Sequence, residues 1–301
     1  NGPELSGGWP RFSITNYTDI GTQGNSTAIR YNDWQYEIVG NASWTRKSHT
    51  IRFGVDMARV ALNHYEATSG PGVFNYTGGA TALNGGPSPN QFNSFAQFLL
   101  GMATSVSKEE LPFDDNQLTS RQTTYSFYVK DGWQAARNLT VSAGLRWDYF
   151  PLGARKSGGL GRYDFNTNVL SICGAGDVPS DCGYHINQKN FSPRLGIAYR
   201  VSDSFVVRAG YGLNYDPYPL AFVRNLLSNY PNDLLLTVNP ANNFQTVATF
   251  KTGIPAVVTP DVSSGRISVP SAYQVRSLAE NYERGYIQSW NLSLQKEFGG
   301  G

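Results

Sequence analysis

The feature that most constrains this chain is a strict alternation of apolar and polar residues. In residues 139–149 one register reads Leu139, Val141, Ala143, Leu145, Trp147 and Tyr149, and the other reads Thr140, Ser142, Gly144, Arg146 and Asp148. Successive side chains of a strand point to opposite faces, so this stretch predicts a strand between an apolar and a polar medium. The period recurs in 34–44 (Trp34, Tyr36, Ile38, Gly40, Ala42, Trp44) and in 51–57 (Ile51, Phe53, Val55, Met57). It recurs again in 125–133 (Tyr125, Phe127, Val129, Trp133, with Asp131 the exception) and 195–201 (Leu195, Ile197, Tyr199, Val201). Residues 205–215 and 290–295 complete the set.

The connections divide into two kinds. Lys47-Ser48-His49, Ala135 to Asn138 and Ser202-Asp203-Ser204 are hairpin-sized. The others, roughly 67–118, 151–189 and 216–285, are long and rich in Gly, Pro, Asn and Ser. Loops beyond about 15 residues are uncommon in compact domains, yet here they alternate with tight turns. Short turn and long loop in alternation is the pattern of an outer-membrane β-barrel, with tight turns on the periplasmic side and long loops outside. A tilted strand of about 9–11 residues crosses the hydrocarbon layer. The expected fold is therefore all-β, an antiparallel meander forming part of a transmembrane outer-membrane β-barrel with short periplasmic turns and long extracellular loops.

Aromatic placement sharpens this. Trp and Tyr belong at the two membrane interfaces, because each ring is apolar with one polar handle. Trp44, Trp133, Tyr199 and Phe205 lie near the short turns, and Trp34, Tyr36, Trp147, Tyr149 and Tyr215 near the long loops. Smaller residues such as Ala42, Val141, Ala143 and Ala209 fill the middle. The opposite register carries Arg52, Asp56, Lys130, Arg146, Asp148, Arg194, Arg200 and Arg208, as a polar lumen requires. Composition removes other classes. An aromatic share of 13 % and a net charge of +2 over 301 residues do not describe a disordered tail. Nor is there a run of about 18 apolar residues for a membrane helix. Lys and Arg (24) barely outnumber Asp and Glu (22) and are scattered, which leaves no electrostatic footprint for nucleic acid.

Several stretches resemble a known family. Ser192-Pro193-Arg194-Leu195-Gly196-Ile197-Ala198-Tyr199 followed by Val207-Arg208-Ala209-Gly210-Tyr211-Gly212 is similar to a hairpin of TonB-dependent receptors of the Oar-like type. So are Tyr128-Val129-Lys130-Asp131-Gly132-Trp133 with the strand after Asn138, Ser48 to Gly54, Phe98-Leu99-Leu100-Gly101, and Gln288 to Gln295. The resemblance implies an outer-membrane location in a Gram-negative-type bacterium, a 22-stranded barrel, an N-terminal plug, and a segment that contacts the TonB energy-coupling complex. Residues 1–301 then read as one partial receptor barrel domain, without plug, coupling segment or barrel C-terminus, and Asn1 and Gly299-Gly300-Gly301 read as cut ends. Seven or eight strands with a glycine- and charge-rich polar face suggest an open, curved sheet rather than a small closed barrel. Its partners would be outer-membrane lipid, the TonB complex through the plug region, and an extracellular ligand.

Candidate sites are few. His49, His64 and His185 do not stand at metal-ligand spacing, and Asp177 and Asp181, or Asp114-Asp115, do not form an Asp-x-Asp-x-Asp-Gly calcium loop. No Gly-x-Ser-x-Gly elbow is present. We therefore expect no catalytic residues, no metal and no cofactor. Cys173 and Cys182 lie nine apart in a Gly/Asp/Pro-rich stretch, and a metal clip, a redox pair and a structural disulfide are the open readings. A disulfide pinning a loop in an oxidising compartment is the preferred one. Tyr215, Tyr218, Phe222 and Tyr230 share one loop and either stack on a sugar or peptide or pack on themselves; the second is favoured. No ligand-binding residue can be assigned. The functions to weigh are the wall of an energy-dependent nutrient receptor, a passive or adhesive barrel, and a secreted glycan-binding β-sandwich.

Overall fold

The computed structural model describes residues 8–22, 29–67, 69–156, 160–217, 220–271 and 273–298. Seven long strands form one antiparallel sheet: β1 (Trp34–Arg46), β2 (His49–Tyr65), β3 (Leu118–Ala136), β4 (Leu139–Tyr149), β5 (Asn190–Ser202), β6 (Phe205–Tyr215) and β7 (Tyr286–Lys296). Each pairs with its sequence neighbours in a simple meander, and Arg30–Tyr31 extends the β1 edge alongside the end of β2. Among the described residues β1 and β7 do not pair with each other, so the sheet is open, as its polar face suggested.

The predicted turns are tight. β1 and β2 are joined by Lys47-Ser48, with Lys47 in the left-handed region (φ 52°). Register shifts at Gln134/Ala136 and Arg200/Ser202 sit beside the other two turns. All seven predicted strands are present, but β2 runs on to Tyr65 and β3 starts at Leu118, well past the alternating segments. In those extensions Ala61, Leu62, His64 and Tyr65, and Leu118, Thr119, Ser120 and Gln122, are buried whichever way they point. Both faces there are covered by protein, which removes the two-media contrast that produces alternation.

The sheet does not own the hydrophobic core. Its apolar register lies bare: Ile38 is 66 % and Trp290 72 % exposed, and Phe53, Leu195 and Leu292 are exposed too. The long loops are where burial happens. Arg11–Ile14 runs parallel to Val73–Tyr76, which pairs with Ser105–Glu110, which pairs with Leu234–Val238. That small sheet ties the N-terminal segment to the first and third loops. A second sheet of Gly161–Asp164, Val169–Ile172 and Arg266–Ser268 ties the second loop to the third. Helix α1 (Gln91–Leu99) is started by Asn90, whose side chain accepts from the Phe92 and Asn93 amides while Asn93 reaches back to the Asn90 amide. Helix α2 (Leu220–Leu227) delivers Leu226 and Leu227 to a core with Tyr65, Leu111, Leu118, Leu160 and Tyr184. The loops thus fold into a cap on the long-loop end of the sheet, where a tally of Gly and Pro suggested only connecting chain.

Candidate functional site: the inner wall and its cap

Strand register turns the alternating pattern into two faces. Outward, one row on the turn side runs His49, Trp133, Val141, Ile197, Ala209 and Leu292. Aromatics collect at the two ends of the apolar band. Near the turns the His49 ring stacks on Trp133 at 5.6 Å. Near the loops Trp34 packs on Tyr36 (4.9 Å), Tyr125 on Tyr149 (6.1 Å) and Tyr215 on Tyr286 (6.1 Å). Asp131, the one acid in this register, has a partner: His49 Nδ1 lies 2.6 Å from its Oδ2. His49 opens β2 rather than sitting within the turn, and that places it on the row next to Asp131.

Inward, one row crosses all seven strands as Ser43, Arg52, Lys130, Gly144, Arg194, Gly212 and Ser289. Strands are about 4.8 Å apart, so Arg52 and Lys130 are immediate neighbours and Arg194 stands two strands further on. Glycine makes room for these long side chains. A Cβ on Gly144 would meet Lys130 Cβ at 3.3 Å and Cγ at 3.4 Å, so the lysine stem lies across that strand. Arg194 donates to Asn214 Oδ1 at 2.7 Å. Toward the turns the next row is Thr50, Gly132, Ser142, Gly196 and Gly210, all small. Two hollows result, of about 410 Å³ and 250 Å³, and Lys130 lines both.

Charge is sorted along this face. Toward the cap, Arg146 donates to Asp148 at 2.8 Å and stands 3.6 Å from Asp56, and Asp148 also accepts from Ser126 Oγ at 2.6 Å. The inward carboxylates of the strands, Glu37, Asp56 and Asp148, all lie on that side of the Arg52–Lys130 row. Among the described residues no carboxylate comes within 4.0 Å of Arg52, Lys130, Arg194, Arg200 or Arg208. The sequence named these residues as a polar face. Their alignment in a row needed the register.

The cap is of mixed chemistry. Cys173 and Cys182 are joined, their sulfurs 2.01 Å apart, and both are buried. Asp114 pairs with Arg155 at 3.0 Å, linking the first loop to the second. Burial, with Glu109 beside it, pushes the Asp233 carboxyl up to about 8. Burial also raises the Tyr184 phenol, against a hydrogen bond from Ser277. Helix α1 sends Phe98 into the apolar core against Phe12 and Tyr76, and beside it Ser94 and Gln97 are buried and hydrogen-bonded to Thr15 O, Gly78 N, Met102 O and Thr104 Oγ1, while Phe92 (72 %) and Leu99 (68 %) face outward. Tyr215 belongs to the wall beside Tyr286, and Tyr230 packs on Tyr273 at 4.7 Å. Tyr218 and the Phe222 side chain lie outside the described residues. His64 bonds Asp33 at 2.7 Å and His185 donates its amide to Glu280 O at 2.9 Å; neither joins a group of metal ligands among the described residues.

An open antiparallel sheet with a bare apolar face, two aromatic belts, a charged inner face and a loop cap on one end defines the wall of a membrane barrel. The whole chain, residues 1–301, matches the family model described as Outer membrane beta barrel domain, and the chain belongs to that family. Its place is the outer membrane. No curated protein and no solved structure matches the chain.

Proposed function

We propose that the chain forms wall and extracellular loops of a TonB-dependent receptor that takes up a nutrient too large for passive pores. The observation that carries this reading is the cap. Three long loops interlock through shared sheets, with a disulfide inside the second, into a surface over a polar inner wall, which suits a receptor better than an open pore. The resemblance of the Ser192–Gly212 hairpin to Oar-like receptors supports it. In this reading a plug elsewhere in the polypeptide contacts the TonB complex, the cap meets the extracellular ligand, and the chain has no catalytic role. The test is nutrient-limited growth and uptake in cells with and without the gene. Uptake that depends on the gene and stops with a protonophore supports the reading; uptake that persists in de-energised cells overturns it. One observation favours an adhesive barrel instead: Phe92, Leu99 and Leu100 are exposed on the cap. That reading predicts loss of cell attachment, with uptake unchanged, when these residues become serine. The soluble sandwich is set aside, since Ile38, Leu195 and Trp290 stay exposed rather than lying under a second layer.

A further inference from the structure

We infer that the inner wall holds a site for an anionic solute, centred on Lys130 and flanked by Arg52 and Arg194. The inference deepens the uptake reading and rests on it for the direction of this face: the transported or sensed solute carries phosphate or carboxylate groups.

Geometry and charge balance carry it together. The three cations come from three different strands yet fall on one register row. Held this way on a sheet, their separation is fixed by strand spacing, so the field they make is preorganised. Like charges on neighbouring strands repel and are destabilising directly opposite one another. Arg52 and Lys130 are directly opposite, with no carboxylate in range. Arg146 on the same face, by contrast, is met by Asp56 and Asp148. The cost is removed when an anion occupies the row. The 410 Å³ hollow is lined by Arg52, Lys130 and Lys47 with Gly132 and the hydroxyl donors Thr50 and Ser142, and Arg194 lines the 250 Å³ hollow that shares Lys130. Arginine and lysine with hydroxyl donors around small residues are what an oxyanion requires. On the cap side, the inward carboxylates of Glu37, Asp56 and Asp148 outnumber Arg146, so the band there is net negative and repels the same anion. The row is therefore a stopping point below a negative band.

The experiment uses the protein as its gene encodes it, purified in a nonionic detergent. Lysines are acetylated with acetic anhydride and read by peptide mass spectrometry, with inorganic pyrophosphate and, separately, citrate as the added anions. We expect an anion to slow labelling of Lys130 by roughly fivefold or more, with the exposed loop residues Lys156 and Lys251 unchanged, and half-molar salt to abolish the protection. Replacing Arg52→Gln and Arg194→Gln together should remove the protection while Lys130 stays reactive; charge reversal to Glu is the stronger variant, and the wild-type measurement decides the point if either fails to fold. Pyrophosphate alone protecting assigns phosphate, and citrate alone assigns carboxylate. Absence of protection by both, or equal protection of Lys251, overturns the site. So does a Lys130 unreactive before any anion is added, since protein then already fills the row. Failure of the uptake reading appears differently, as energy-independent uptake with protection of Lys130 intact.

Discussion

The wall and the cap handle apolar residues in opposite ways. In the wall, Trp290, Leu292 and Leu294 lie open on one face. In the cap, Tyr76 and Val106 are fully enclosed and Leu227 is 1 % exposed. The difference teaches that burial in this chain has two destinations. Wall side chains leave water for hydrocarbon and need no partner of complementary shape. Cap side chains leave water for one another and must be packed at interior density.

That contrast can be broken by substitution, and the largest effect is expected in the cap. Leu227→Ala removes buried carbons and leaves a cavity among Tyr65, Leu111 and Tyr184, and should cost about 3–5 kcal/mol in denaturant unfolding. Leu292→Ala loses only the transfer to hydrocarbon, about 2 kcal/mol, because lipid or detergent closes over the gap. Equal costs would show that the wall is packed like a core.

The next effect tests facing in the wall. Leu145→Arg puts a guanidinium in the apolar band and should destabilise by about 2–4 kcal/mol. Ala143→Arg should cost less, since Ala143 stands directly across from Asp131 and its new charge has an acid to meet. Ser142→Arg, on the inner face, should cost least. A reversed order would exchange lumen and lipid.

Legibility follows the same division. The seven wall strands were readable because each lies between two media and so alternates. The extensions of β2 and β3 were not, because Leu62 and Leu118 are enclosed from both sides. The cap core was invisible for a related reason: Val73–Tyr76 and Val169–Ile172 are too short to show a period, and their partners are distant in sequence. Asp131 was readable only as an exception, since its partner His49 is 82 residues away. The candidate anion site was legible as residue types and not as a row, because alignment of Arg52 with Lys130 and Arg194 is a property of register.

A smaller effect sharpens the cap side. Replacing both Cys173 and Cys182 with serine opens a short loop and should lower cap stability by about 2–3 kcal/mol, seen as faster proteolysis near residues 160–185 with the wall strands still protected. A further test of the cap is one of pH. Asp233 is raised from 3.8 to about 8 by burial and by Glu109, so the folded cap holds a proton that the unfolded chain releases. Its contribution is complete below about pH 4 and is lost as pH rises to about 8. Asp233→Asn should flatten this slope in cap unfolding followed by hydrogen exchange, and an unchanged slope would place the titration elsewhere.

The central claim is that alternate side chains of the wall contact hydrocarbon while the cap contacts water. It is tested most directly by tryptophan quenching in two single-tryptophan variants in lipid vesicles, one keeping Trp290 on the wall and one keeping Trp9 on the cap. The account predicts that brominated acyl chains quench Trp290 and aqueous iodide does not, with the reverse for Trp9. Iodide quenching of Trp290 with no effect of brominated lipid would contradict it.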